Sequence, residues 1–397
     1  MSHRNTPVLP ALSGALNLRD IQDTLAPLHA QNRYSGFGVC QSAWPVLPQY
    51  SYAGGIYSPT QNRVYLVPYY NATASSWHYV DCNSGTVVSY AHGQGGLSNA
   101  AYIGGTYHPA LDRIYFAPLY QFQPSYPNGH YIDCRTGLVG TYANPYYPPS
   151  AAYWGAAYLP TLGRLYFIPF QIWNNSSYYH YIDGSGNCVQ YALAVTLNSY
   201  AYVGGAYSPT QDKFYLAPYG QANTDTWHYM DGKTGALGTY AGDATATQYA
   251  YIGAAYSPMD DRVYFIPSTQ STVSKWHYVD CRTGTLGSYS PTMTPPSTSY
   301  GGAYSPATNR IYFSPYAYAN SGTWYYMDCT TGSVVSFASG VSPVANAYIC
   351  PFYSPTEGRI YLSPFGQATQ TNWHWIQEHA PAEVPPHLAA LPLFNKS

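Results

Sequence analysis

Side chains that can bind metals or move protons recur at one position of this chain. Histidine occupies it at His78, His130, His180, His228, His277 and His374. A metal site needs several ligands that converge to within about 2 Å of one ion. Equivalent positions of a repeat are spread around the structure, so these histidines are predicted to pack within their own units and not to share a metal.

Motifs of known catalytic centres are absent from the sequence. There is no Gly-x-Ser-x-Gly, no His-Glu-x-x-His and no phosphate-binding loop. The acids outside the repeated turns are scattered at Asp225, Asp243, Asp260 and Glu357, so no carboxylate cluster for calcium or a quinone is visible. The sequence therefore predicts a non-enzymatic protein with no catalytic residues, no metal and no cofactor.

The elements that position these residues repeat seven times. A basic residue marks each unit, at spacings of 50, 51, 49, 49, 48 and 49 residues: Arg63, Arg113, Arg164, Lys213, Arg262, Arg310 and Arg359. A period near fifty residues is typical of β-propeller blades.

Each unit predicts four strands. Strand a is glycine-rich, strand b ends at a proline, strand c carries the histidine, and strand d follows a Thr-Gly turn. The seventh unit lacks strand d, whereas residues 37–41 follow Gly36 with the spacing of a strand d. We predict an all-β, seven-bladed β-propeller of four-stranded blades, with a ring closed by the N-terminal strand that completes blade seven.

Other repeated residues are predicted to stabilise the fold. The basic residue that begins strand b and the aspartate that ends strand c, such as Arg164 and Asp183, should face each other as an ion pair. The strand c tryptophans are predicted to wedge between blades rather than to stack sugars: Trp77, Trp227, Trp276, Trp324 and Trp373. Four cysteines, among them Cys82, hold equivalent positions too far apart for disulfides, so they are predicted to be free thiols, which fits a reducing compartment.

Composition excludes several classes of partner. Only 8% of the residues are charged and the net charge is −2, so nucleic acid is not an expected partner. No apolar run reaches the roughly 18 residues of a membrane span. The first residues have no apolar core of a secretory signal.

The motif Tyr-x-Asp-x-x-Thr-Gly-x-Val, followed by Ser-Pro-x-x-x-Arg-Ile-Tyr, resembles the YVTN-type seven-bladed propeller repeats and, more loosely, kelch-like and quinoprotein propellers. The resemblance covers about 340 residues. It implies the fold and leaves function open, because that superfamily includes surface proteins, binding modules and a few enzymes. The chain departs from the pattern by its Trp-His pair and by Ser-Pro-Thr-Gln-Asn-Arg in the first turn.

The connections between strands differ at the two ends of the predicted ring. The a–b and c–d turns are short and repeated, whereas the b–c and d–a connections vary and are rich in Asn, Gln, Ser, Thr and Tyr. Binding residues concentrate on variable loops held by a rigid frame. An aromatic patch on blades two and three is the predicted binding site, with the alternative that its residues only cover the blade ends: Tyr120, Phe122, Tyr126, Tyr146, Tyr147, Trp173, Asn174 and Asn175.

Two tails flank the repeats. We predict a ring over 35–377, an N-terminal extension over 1–34 with a candidate helix from Leu16 to Leu28, and a proline-rich tail over 378–397. The extension is interpreted either as a frayed tail or as an anchor to a larger assembly. The leading hypothesis is a virion or phage surface protein, made in the cytoplasm, that contacts a host glycan or protein. The alternatives are a cellular, cytoplasmic lectin or interaction scaffold and, third, an enzyme of the lactonase or quinoprotein kind.

Overall fold

The computed structural model describes residues 37–172, 178–296 and 298–378. Within them, the strands form seven four-stranded antiparallel sheets arranged as the blades of a ring. The predicted fold class is confirmed. No helix in this part of the chain is long and apolar enough to cross a membrane.

The strands follow one another in chain order, four to a blade, apart from the first. They are β1 (Phe37–Ala43), β2 (Tyr52–Ser58), β3 (Arg63–Pro68), β4 (Ser76–Asp81), β5 (Thr86–Ala91), β6 (Tyr102–His108), β7 (Arg113–Pro118), β8 (Asn128–Asp133), β9 (Val139–Ala143), β10 (Tyr153–Leu159), β11 (Arg164–Pro169), β12 (Tyr178–Ile182), β13 (Cys188–Ala192), β14 (Tyr202–Ser208), β15 (Lys213–Pro218), β16 (Thr226–Asp231), β17 (Leu237–Ala241), β18 (Tyr251–Ser257), β19 (Arg262–Pro267), β20 (Trp276–Asp280), β21 (Thr285–Tyr289), β22 (Gly302–Ser305), β23 (Arg310–Phe313), β24 (Thr323–Asp328), β25 (Ser333–Ala338), β26 (Tyr348–Ser354), β27 (Arg359–Pro364) and β28 (Asn372–Glu378). Short 3-10 helices lie at Thr269–Thr272, Ala319–Ser321 and Gly366–Thr369.

Strand a of each blade is the innermost strand, and neighbouring strands a contact one another around the ring. Glycine permits this approach. A Cβ added at Gly204, where φ is +71°, would lie 3.4 Å from the Cα of Gly253 in the next blade. The seventh unit has Cys350 at this position, with φ of 44°.

Closure follows the prediction. β1 pairs antiparallel with β28, with Val39 opposite Ile376, and so supplies the fourth strand of blade seven. The chain then buries Trp44 against Trp373, with ring centroids 5.6 Å apart. The N-terminal extension and its candidate helix lie outside the described residues, as does the tail beyond Glu378.

The ring has two different ends. The a–b and c–d turns form what we call the turn end, and the b–c loops and d–a links form the loop end. β1 begins and β28 ends at the turn end, where Phe37 and Glu378 are Cα partners. Both flanking segments therefore leave the ring at the same place on the turn end.

Hydrogen bonds between a–b turns join neighbouring blades at the turn end, and we call them turn staples. Thr60 Oγ1 donates to Asp112 Oδ1 at 2.8 Å, from blade one to blade two. The same contact joins blades three and four, four and five, and seven and one: Thr161 with Asp212, Thr210 with Asp261, and Thr356 with Asn62. Related contacts join blades five and six, through Ser257 and Asn309, and blades six and seven, through Thr308 and Glu378.

The core lies between the blades. The five strand c tryptophans are fully buried, which confirms their predicted role as wedges. Their indole N–H groups donate to loop carbonyls, as Trp227 Nε1 does to Ala222 O at 2.9 Å. The seven cysteines, all within the described residues, form no disulfide with one another, and burial raises the pKa of the Cys82 thiol to about 12.

Candidate functional site

The repeated histidines are packing residues, as predicted. Each is buried, and its Nδ1 shares a hydrogen bond with the buried tyrosine that opens strand a of the same blade. The pairs are Tyr52–His78, Tyr102–His130, Tyr153–His180, Tyr202–His228, Tyr251–His277 and Tyr348–His374. Each pair ties the inner strand to the third strand of its own blade. The described residues contain no group of three side chains that could hold a metal.

Blade six replaces both members of the pair together. Ser299 stands where the other blades have the tyrosine, and Tyr325 stands where they have the histidine. Tyr318 fills the space: its hydroxyl lies 3.1 Å from Ser299 Oγ and its ring packs edge-on to Tyr325. The joint replacement supports the interpretation of the pair as one packing unit.

Blade five extends its pair to a carboxylate. His277 Nε2 donates to Asp243 Oδ2 at 2.9 Å, and Lys275 Nζ donates to the same oxygen at 2.5 Å. Although burial opposes it, these hydrogen bonds help to hold the pKa of Asp243 well below its usual range. Tyr251 at the inner end of this chain of contacts is fully buried, whereas the Lys275 side chain at its outer end is half-exposed.

The register of the expected ion pairs at the turn end is right, but Arg63 makes a different contact from the predicted one. Arg63 faces Asp81 across the ladder, as predicted. The guanidinium, however, lies over Tyr79 at 4.4 Å, while Asp81 Oδ1 accepts the backbone N–H of Asn83 in its own turn. All seven basic residues lie over an aromatic ring in this way: Arg63, Arg113, Arg164, Lys213, Arg262, Arg310 and Arg359.

The reason is the strand geometry. The aromatic residue lies two positions before the aspartate and faces strand b from the same side of the sheet. The long basic side chain therefore packs its cation over the aromatic ring, while the shorter aspartate side chain accepts backbone N–H groups of its own turn. Arg113 makes both contacts, with Asp133 at 3.8 Å.

The structure buries one residue of the predicted aromatic patch and leaves others at the surface. Tyr120 and Tyr147 are exposed at 42% and 53%, and Tyr126 is half-buried. Tyr146 is also exposed and lies over the ring of His180, 5.4 Å away. Phe122 is fully buried between Tyr142 and Phe167, so it is a core residue and offers no surface. Trp173, Asn174 and Asn175 lie outside the described residues.

A different aromatic surface surrounds the axis at the loop end. It is built from the second residue of strand a, the residues that follow the proline of strand b, and the d–a links. We call it the aromatic collar, and it consists of Tyr50, Tyr69, Tyr70, Tyr120, Trp154, Phe170, Tyr200, Tyr219, Tyr249, Tyr300, Tyr316 and Phe365.

Ring contacts make the collar continuous. On one side, Phe365 lies 4.3 Å from Tyr50 and 6.1 Å from Tyr69. On the other side, Tyr219 lies 4.7 Å from Tyr249 and Phe170 lies 5.1 Å from Tyr200. Tyr69 packs edge-on to Tyr70, and burial together with the nearby Tyr70 and Tyr120 raises the pKa of Tyr69 to about 12.

Two collar residues meet across the axis. Trp154 of blade three and Tyr300 of blade six have ring centroids 6.4 Å apart, although their blades are not neighbours. Below them, a cavity of about 30 Å³ is lined by strand a glycines and Cys350. That volume is close to one water molecule and far below the 300–1,000 Å³ typical of a small-molecule pocket. At the axis, the surface available to a ligand is therefore the collar above this cavity.

The collar rests on a rigid frame. A glutamine in four b–c loops accepts a backbone N–H from the adjacent d–a link and donates to the start of strand c: Gln121, Gln221, Gln270 and Gln367. Each of these glutamines is buried. The loops vary in sequence, but this clamp repeats, so the aromatic side chains are held in place before any ligand arrives.

Charge is nearly absent from the loop end. Its connections, by sequence, contain only Asp225, Asp243 and Lys275, all in blades four and five. Asp243 and Lys275 neutralise each other as an ion pair at 2.5 Å. Aromatic rings and neutral hydrogen-bonding groups are what this end presents.

Comparison with known proteins shows the fold alone. A structure of streptogramin B lyase is similar with a TM-score of 0.61 and 13% identity, over 86% of this chain and 97% of that one. A chain of the mitotic checkpoint complex has a TM-score of 0.58 and 12% identity, over 96% and 99%. The Myceliophteria thermophila Cps50 (Swd1) propeller has a TM-score of 0.55 and 9% identity, over 86% and 100%.

The ring is thus a seven-bladed propeller without a demonstrated family. No family model matches the sequence, and no curated protein matches it. The resemblance to YVTN-type repeats stays a resemblance. The proteins with similar structures differ widely in role, and at such low identity none of their activities passes to this chain.

Proposed function

We propose that this protein is a non-enzymatic recognition propeller that binds a neutral glycan on the aromatic collar. The observation that carries the proposal is the collar itself: a continuous, preorganised and uncharged aromatic surface at the centre of the loop end. Tyrosine and tryptophan offer large contact area together with hydrogen-bonding groups, at a low entropic cost.

The absence of charge favours a neutral ligand. A charged partner would find no countercharge around the axis, since the charged residues of this end lie in blades four and five. Sugar hydroxyls can bond to the phenol groups of exposed tyrosines such as Tyr70 and Tyr200, while sugar C–H groups pack on the rings. The alternative ligand is an uncharged protein surface, which the test described below distinguishes from a glycan.

The opposite end suits attachment to a larger assembly. The chain enters and leaves the ring side by side at the turn end, at Phe37 and Glu378. Flanking segments anchored there would leave the collar free. A virion or phage spike, fibre or decoration protein is attached at one end and contacts the host with the other. A cellular lectin on a scaffold has the same arrangement.

The small axial cavity argues against an enzyme of the lactonase or quinoprotein kind. A space of about 30 Å³ has no room for a substrate or quinone. The buried histidines are committed to their tyrosines, and the blade five carboxylate is committed to Lys275 and His277.

A glycan array with the full chain tests the proposal. We expect binding to neutral glycans, with affinity reduced about tenfold or more by Tyr70→Ala or Tyr200→Ala, since central aromatic contacts are often worth about 2 kcal/mol. Tyr147→Ala, which is also exposed at the loop end but lies outside the collar, is the matched control. No binding to any neutral glycan, or equal loss in the control, would overturn the proposal.

A further inference from the structure

One blade interface lacks a turn staple. Between blades two and three, Ala110 replaces the donor threonine and Gly163 replaces the acceptor. Among the described residues, no side-chain hydrogen bond joins these two turns. The other six interfaces each have a side-chain hydrogen bond at the turn end, which between blades six and seven runs from Thr308 to Glu378 at the end of strand c.

The same interface contains a buried histidine. His108 occupies the last position of strand a, where five other blades have serine. Its side chain is fully buried, and neither ring nitrogen makes a hydrogen bond of good geometry, although the backbone of Gly163 and of Asp183 lies close to the ring. The ring packs edge-on against Tyr158 of blade three at 5.0 Å.

The groups that face His108 offer it no counterion contact. Tyr115 of β7 and Tyr158 of β10 cover its ring, and Arg113 of β7 is the nearby cation. Asp183, from the c–d turn of blade three, is the nearby anion, but its carboxylate accepts the N–H groups of Ser185 and Asn187. Asp112 bonds to blade one and faces away.

Burial is therefore the largest influence on the protonation of His108. It lowers the pKa of His108 despite the carbonyls of Gly163 and Asp183 and the charge of Asp183, so the ring is neutral at pH 7. A proton that binds His108 while the two turns are apart stabilises the open state, because the closed interface accommodates the uncharged ring more favourably than the cation.

We propose that the contact between blades two and three at the turn end is a pH-sensitive joint, which loosens on acidification before the other blade interfaces do. The ring has one weak interface, and the residue that fills it titrates near neutral pH once solvated. Acidification thus weakens one defined interface, while turn-end hydrogen bonds hold the other six.

Hydrogen exchange of the full chain tests the joint. We compare protection factors at pH 7.5 and 5.5 for peptides covering 108–113 and 159–164. Since an open joint would titrate near 6.5, protection should fall there by up to about tenfold at pH 5.5. The stapled interface of blades three and four, at Thr161 and Asp212, is the internal control and should change less.

Two variants separate the cause from general acid sensitivity. His108→Ser, which installs the residue of the other blades, should remove the excess pH dependence. Ala110→Thr with Gly163→Asp should install a staple and raise protection at both pH values. Aspartate fits because equivalent residues such as Asp212 adopt the same left-handed conformation, and only the Tyr158 hydroxyl lies near the new Cβ, at 4.0 Å.

Equal pH dependence at all interfaces, or an unchanged pH effect in His108→Ser, would overturn the proposal. If His108→Ser does not fold, the stapled double variant decides: unaltered pH sensitivity of the joint in that protein contradicts the inference.

Discussion

The turn end and the loop end are made from the same seven repeats but use different chemistry. At the turn end, charged and hydroxyl side chains repeat from blade to blade and bond to one another, through turn staples and cations placed over rings. At the loop end, the repeated element is a buried glutamine clamp, and what it supports is an uncharged aromatic surface. Polar groups that are satisfied within the ring hold it together at the turn end, whereas the aromatic side chains at the loop end are available to a ligand.

Removing the closing strand should have the largest effect. Deleting residues 1–44 exposes the edge of β28 and removes Trp44 from the interface of blades seven and one. We expect aggregation or loss of the cooperative thermal transition, measured by size-exclusion chromatography and thermal unfolding. Deleting only residues 1–36 keeps β1 and is the control. Normal folding of the 1–44 deletion would contradict the closed ring.

Acid should destabilise the whole ring through the buried Tyr–His pairs. Burial lowers the pKa of His130, His180, His228 and His374 to about 4 and also lowers those of His78 and His277. Because the folded pKa lies below the unfolded value near 6.5, each pair stabilises the fold fully above pH 6.5. For the four histidines with a pKa of about 4, that contribution falls by up to about 1.4 kcal/mol per histidine for each pH unit below 6.5, until about pH 4.

Denaturant unfolding between pH 7.5 and 4 measures this effect. The free energy of unfolding should fall by several kcal/mol by pH 5. His228→Gln keeps an acceptor for the Tyr202 hydroxyl but cannot titrate, so its curve should be shallower. A pH-independent free energy of unfolding over this range would refute the assignment of these histidines as buried and neutral.

Breaking one cation–aromatic contact should have a smaller effect and should spare binding. Arg164→Ala removes the contact with the Tyr181 ring, 4.7 Å away, and part of the apolar cover of the turn end. We expect a loss of about 1 kcal/mol in the free energy of unfolding and unchanged glycan affinity. If affinity fell while stability held, the division between the two ends would be wrong.

The sequence predicts the scaffold well because its signals are local and repeated. Glycine-rich strand a, the proline at the end of strand b and the Thr-Gly turn set the strand limits, and the short seventh unit predicts closure. Facing positions such as Arg63 and Asp81 also follow from the pattern. Which partner the arginine takes does not, since Tyr79 and Asp81 both lie within its reach and only the packed structure selects the ring.

The collar could not be predicted in the same way. Its members come one to three from a blade, and most lie far apart in sequence, as Trp154 and Tyr300 do, so each alone resembles a core residue. The predicted patch relied on aromatic residues clustered in sequence, and Phe122 shows the weakness of that signal because it points into the core. The sequence signal that could have predicted the collar is the residue after each strand b proline, which is aromatic in five of seven repeats.

Hydroxyl-radical footprinting of the protein with a saturating neutral glycan tests the central claim most directly. The account predicts protection of Tyr70, Tyr120 and Tyr200, which are exposed at 46%, 42% and 36% in the free ring. Leu138, exposed at 67% beside a turn of the opposite end, should be oxidised equally with and without ligand. Protection of Leu138 with unchanged oxidation of the three tyrosines would contradict the assignment of the loop end as the recognition surface.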